Sequence, residues 1–133
     1  MTHEACSLII EQIKSDIFQG GYVMADETPA KYQDPERKGM SGTGDLRVFH
    51  NPVRNVSLFA WRTGRGAACL EDILPPDFRG IIQCDGYSAY DAFVKTPART
   101  ELAGCMAHMR RKFFEARDEG EDPQWVLAQV QQL

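Results

Sequence analysis

The apolar positions of this 133-residue chain change their spacing several times, and each change marks an element. Leu8, Ile9, Ile13 and Ile17 recur at helical spacing and predict a helix over 4–18. Gly20 and Gly21 follow, where glycine commonly stops a helix. YVMAD (22–26) reads as a short strand with a mostly apolar body. DPERKGMSGTG (34–44) is rich in turn formers and charge and predicts a loop or hairpin tip. LRVFH (46–50) and VSLFAWR (56–62) predict two strands joined by the turn NPVRN. AACLEDIL (67–74) reads as a short helix stopped by Pro75 and Pro76. RGIIQCD (79–85) has a continuous apolar body, which predicts a strand buried on both faces. SAYDAFVK predicts a short helix and TELAG (100–104) another strand. A helix over 105–117 would place Met109, Phe113 and Ala116 on one face, and Asp122-Pro123 starts a last helix reaching Leu133. Phe59, Trp61, Phe113 and Phe114 are expected in the core. Three consecutive strands followed by alternation predict an α/β fold, a mixed sheet with flanking helices.

The length suits one domain with a real core. No apolar run approaches the roughly 18 to 20 residues that span a membrane. The N-terminal stretch lacks the basic region and cleavage signal of a secretory peptide, so a cytoplasmic protein without membrane contact is expected. Cys6, Cys69, Cys84 and Cys105 are scattered and form no CxxC pair, which predicts reduced, mostly buried thiols. The net charge of -4 argues against a simple basic nucleic-acid-binding module. The charge is uneven, however. Residues 36–70 carry six Lys/Arg against two Asp/Glu, and residues 99–117 carry five against two. A site in which carboxylates hold metal and basic neighbours hold phosphate would show this alternation. A mixed-charge solvated surface is the simpler account of the charges alone.

Two short stretches share one shape. Asp26 follows YVMA, and Asp85 follows IIQC; in each a largely apolar strand runs into an aspartate. Taken singly, each is most simply a turn or helix-cap residue. Taken together, the tips of two neighbouring strands would bring both carboxylates to one place. Their repulsion is relieved if a divalent cation lies between them. Hard cations such as Mg²⁺ take carboxylate oxygen, and they suit phosphodiester chemistry.

ADETP, RTGRG, FRGIIQCDGYSAYDAF and AGCMAHMRRKFFEA, in that order, resemble the transposase core of the insertion sequence 66 family of bacterial mobile elements. The resemblance covers about residues 20–117. It implies a ribonuclease-H-like fold and a DDE catalytic triad that cuts DNA at transposon ends and joins the freed 3′-hydroxyl to a target. Asp26 would be the first acidic residue and Asp85 the second, with Mg²⁺ or Mn²⁺ as cofactor. DNA would be the partner, with accessory proteins of the same element and a homo-oligomer in the complete enzyme. Family members continue further, and their third acidic residue, a glutamate, is expected on a later helix after an inserted segment. The chain is therefore expected to be a partial core, incomplete at the C-terminus. The expected division is an N-terminal helix (1–19), a partial catalytic core (20–118) and the start of a helical segment (119–133). The strand at Leu46 to His50 also departs from the family, since it lacks the aromatic-rich sequence expected there.

Glu115 is the internal candidate for a third carboxylate; a solvent-facing Glu paired one turn away is the simpler account. Cys105 and His108 form CxxH, half of a zinc site at most, so a buried Cys and a partly exposed His are expected. His108, Arg110, Arg111 and Lys112 are candidate DNA-phosphate contacts, and Arg117 joins Arg110 on one face. Arg62 and Arg65 around TGRG could also lie near DNA, although a tight turn needs no ligand. Tyr87 and Tyr90 lack the company of a tyrosine recombinase, so their rings are expected to pack at the sheet edge with hydroxyls in water. Two alternatives stay open: a catalytically inactive DNA- or protein-binding remnant, and a stand-alone metal-dependent nuclease using Glu115.

Overall fold

The computed structural model describes residues 3–33, 39–63, 68–86, 88–94 and 100–132. Its elements in chain order are α1 (His3–Phe18), β1 (Tyr22–Gln33), β2 (Ser41–Asn51), β3 (Val56–Arg62), α2 (Ala68–Glu71), β4 (Gly80–Cys84), α3 (Ser88–Val94), β5 (Thr100–Gly104), α4 (Met106–Glu115) and α5 (Glu121–Val130). They form two compact units, Met1–Ala103 and Gly104–Leu133. No helix among the described residues is long and apolar enough to cross a membrane.

The five strands make one mixed sheet in the order β3-β2-β1-β4-β5. β1 lies antiparallel to β2 and parallel to β4, and β2 lies antiparallel to β3. This is the α/β mixed sheet that the strand pattern predicted. The β1–β4 pairing begins where two glycines cross. The Ile81 N–H donates to the Gly21 carbonyl at 2.8 Å. Gly80 has φ +150, and a Cβ there would overlap that carbonyl, so the close approach requires glycine.

Several elements differ from the sequence reading. β1 does not stop at Asp26 but runs on to Gln33, paired with β2 from Met24↔His50 to Gln33↔Ser41. The acidic residues and Pro29 in DETPAKYQ read as a turn, yet beyond Met24 the described β4 ladder has ended. Proline is tolerated along such an open edge. β2 likewise begins at Ser41, inside the stretch read as loop. α2 is only four residues long, because a turn follows at once.

The core lies on one face of the sheet. Val23 and Ala25 of β1, Phe49 of β2 and Ile82 and Cys84 of β4 meet Ile17 of α1, Leu70, Leu74 and Phe78, and Tyr90 and Phe93 of α3. Phe18 packs edge-on against Phe49 and Phe78, with centroids 6.2 and 5.8 Å apart. Only the C-terminal half of α1 takes part: Ile13, Ile17 and Phe18 pack, whereas Leu8 and Ile9 are exposed. β4 is buried on alternate residues rather than on both faces, and Ile81 is 38 % exposed. Phe59 (65 % exposed) and Trp61 are not core residues either. Strand alternation turns them to the opposite face, level with Val48 and Leu46. Trp61 there meets Tyr32 edge-on at 5.8 Å.

In the second unit, α4 and α5 pack on each other. Phe114 is exposed rather than buried, and two guanidinium groups flank its ring, Arg117 at 4.4 Å and Arg110 at 6.0 Å.

Candidate functional site

Asp26 is the fifth residue of β1, and Asp85 directly follows β4. The parallel register runs Tyr22↔Ile81, Val23↔Ile82, Met24↔Gln83. Continued by two residues, it sets Asp85 level with Asp26. Both aspartates then share the sheet face of Met24 and Gln83, since side chains alternate along a strand. Their carboxylate oxygens lie within 4.8 Å of each other. Asp26 Oδ1 also accepts the Glu27 N–H at 3.0 Å, which fixes its rotamer. So Asp26 is not at a strand's end, as the sequence suggested, but beside the end of the β1–β4 ladder.

The fit to a cation follows from this spacing. An octahedral Mg²⁺ holds oxygens at about 2.0–2.1 Å, so two of its ligand oxygens stand at most ~4.2 Å apart. Two carboxylate oxygens within 4.8 Å can span such an ion with a small side-chain adjustment. Both carboxylates offer oxygen, the donor that hard divalent cations prefer.

Behind this pair, on the core face, lies a polar group that sequence reasoning missed. Glu27 follows Asp26 and points inward; its Oε2 accepts a hydrogen bond from Tyr90 Oη at 3.1 Å. Burial raises the Glu27 carboxyl above its ordinary value; the Tyr90 bond opposes this, Asp85 adds to it, and the Arg47 charge opposes it. Burial likewise raises the Tyr90 phenol, with the Glu27 charge adding to the shift. Tyr90 is fully buried, which corrects the expectation of a hydroxyl in water. Arg47 is the direct cross-strand partner of Glu27. It is also fully buried, and none of its three guanidinium nitrogens has a hydrogen-bond partner among the described residues. An arginine in LRVFH carried no sign of this, because only the strand register sets it beside Glu27.

A buried guanidinium without hydrogen bonds is costly, and an apolar chain of similar reach removes that cost. Arg47→Met combined with Glu27→Gln, which removes both charges, is therefore expected to stabilise the chain by about 1–3 kcal/mol in urea unfolding. A loss of stability would show that the Glu27–Arg47 attraction outweighs desolvation.

The remaining candidates sit as follows. Arg62 Nε lies 3.6 Å from Asp72 Oδ2, and Arg62 Nη1 donates to the Trp61 carbonyl. Arg65 and Tyr87 fall outside the described residues. In the second unit, Arg110, Arg111 and Lys112 are exposed on α4, and Glu115 lies 3.5 Å from Lys112. Cys105 precedes α4 and is half-buried, as is His108. A side-chain hydrogen bond from His108, then backbone N–H groups, lowers the Cys105 thiol below its ordinary value. Cys84 is buried, and burial raises its thiol. Since the thiolate is the reactive form, iodoacetamide at pH 7 is expected to label Cys105 well before Cys84. Mass spectrometry of the labelled peptides checks the order, and the reverse order would contradict it.

The comparisons decide the family. The model of the family described as "Transposase IS66 family" matches residues 2–133. The chain belongs to this family. Two similar relatives come from Sinorhizobium fredii (strain NBRC 101917 / NGR234). The uncharacterized protein y4qI is 34% identical over 84% of this chain and 22% of its own length. The uncharacterized protein y4jD is 29% identical over 84% of this chain and 25% of its own length. The chain thus spans about a quarter of the curated relatives it matches. No solved structure matches.

Proposed function

We propose that this IS66-family chain carries part of the catalytic core of a DDE-type DNA transposase, with Asp26 and Asp85 as ligands to Mg²⁺ or Mn²⁺. The observation that carries the reading is the approach of these two carboxylates within 4.8 Å beside the end of the β1–β4 ladder. Like charges so close are reasonable when a cation lies between them. The ribonuclease-H-like fold is the finer reading of the sheet. It is supported by a central β1 with an antiparallel neighbour on one side and a parallel one, leading to the second aspartate, on the other.

When bound, the cation would supply activation of an attacking oxygen and stabilisation of the leaving one at a DNA phosphodiester. The chain's own part is to hold two carboxylates side by side on one face of the sheet. In the complete protein the reaction would be cleavage at transposon ends followed by strand transfer. Arg62, Arg65, His108, Arg110, Arg111 and Lys112 are proposed as phosphate contacts, whose charge would position DNA without reading its sequence.

Titration calorimetry of the chain with MnCl₂ tests the reading. One saturable site is expected. No saturable binding up to millimolar metal would refute it.

A further inference from the structure

Phe114 is a large apolar side chain left 47 % exposed on α4, two residues after the basic run Arg110–Arg111–Lys112. Its neighbour Phe113 is the more buried of the two rings. Packing therefore does not explain Phe114, but its surroundings suggest a use. Arg110, Phe114 and Arg117 follow one another at i, i+4 and i+7, which puts them on one helix face. The Arg117 guanidinium lies 4.4 Å from the ring centroid, and that of Arg110 lies 6.0 Å away. Arg117 Nη1 also donates to the Phe114 carbonyl at 2.8 Å, which holds its guanidinium beside the ring.

Two cations around one exposed ring suit a guest with a flat π face and negative charge. A nucleotide has both: its base stacks on the ring, and its phosphates take the guanidinium hydrogen bonds. The nearby acids do not forbid this. Glu115 lies 3.5 Å from Lys112, and Asp118 lies 3.6 Å from Arg117. Both pairs are exposed, so each is weak and screened by salt. In a duplex the base faces are covered by their neighbours, so the base that stacks must be unpaired.

We infer that Phe114, with Arg110 and Arg117, is a stacking platform for an unpaired base of single-stranded DNA. The inference rests on the DNA reading proposed above and names the form of DNA that this helix takes. It needs no metal.

Fluorescence anisotropy of a labelled oligothymidine, at low salt and in excess chelator, tests it on the whole chain. Phe114→Leu keeps an apolar side chain at an exposed position and is expected to weaken binding about tenfold, the scale of one lost base–aromatic stack. Phe114→Trp should keep the affinity, and oligothymidine should quench its fluorescence more than that of the wild-type chain. Arg110→Gln and Arg117→Gln should each lower the slope of log affinity against log salt by about 0.7, which Phe114→Leu leaves unchanged. A blunt duplex should bind Phe114→Leu and wild type alike.

Equal oligothymidine affinity for Phe114→Leu and wild type would overturn the platform while leaving the phosphate contacts standing. An equal loss for duplex and single strand would overturn it too, as would no binding of oligothymidine up to about 0.1 mM chain. If the chain takes up no Mn²⁺ but Phe114→Leu still loses single-strand affinity, the metal reading falls and the platform stands.

Discussion

Asp26→Asn and Asp85→Asn are each expected to weaken Mn²⁺ binding by about a hundredfold or more, about 2.7 kcal/mol. Each change leaves one carboxylate where the geometry offers two. An amide oxygen can still occupy the position, but it carries no charge to offset the dehydration of a hard cation. The same substitutions should have the opposite sign without metal. Two carboxylates within 4.8 Å in a solvated setting repel by about 1 kcal/mol, so removing one charge should raise metal-free stability. In saturating Mn²⁺ the order should invert, since a ligand that binds only the folded chain stabilises it by mass action. A pair of melts per variant, with chelator and with Mn²⁺, reads both signs. Variants that bind as tightly as wild type would remove the two aspartates from the site.

Asn51→Ala is expected to destabilise the chain by about 3 kcal/mol. Asn51 is buried at the end of β2 and serves two elements at once. Its Nδ2 donates to the carbonyls of Ile17 and Gln19 at 3.0 Å and of Asp16 at 3.3 Å. Those carbonyls belong to the C-terminal end of α1, where a helix leaves acceptors unpaired. Its Oδ1 accepts the N–H groups of Val53 and Arg54 at 3.0 and 3.1 Å, closing the turn to β3. Alanine leaves all five backbone groups to find water or go unpaired. Asn51→Asp should be worse at neutral pH, because it sets a negative charge against three carbonyl oxygens. Urea unfolding measures both losses; a change below about 1 kcal/mol for Asn51→Ala would show that water replaces the side chain at little cost.

The sequence made Asn51 legible only in part. NPVRN reads as a turn from its residue types, but the same side chain's grip on α1 joins positions more than thirty residues apart. The helices and most strand starts followed from periodicity, because a helix or strand imposes its own spacing on local sequence. Strand length did not follow. β1 continues through an aspartate, a glutamate and a proline because β2 offers it a partner, which local propensity does not register. The aspartate pair was legible from two strand-like stretches of the same shape, and the motif order identified the family. The Glu27–Tyr90–Arg47 group was not, since it exists only through register and helix placement. Phe59 and Trp61 misled for a related reason. Hydrophobicity favours burial, but alternation in β3 decides which face each ring takes, and these two face away from the core.

The most direct test of the central claim is anomalous X-ray scattering from crystals of this chain soaked in MnCl₂. An anomalous peak is expected between the carboxylates of Asp26 and Asp85, within about 2.3 Å of an oxygen of each. Anomalous peaks confined to other surface carboxylates, with none between Asp26 and Asp85 at saturating metal, would contradict it.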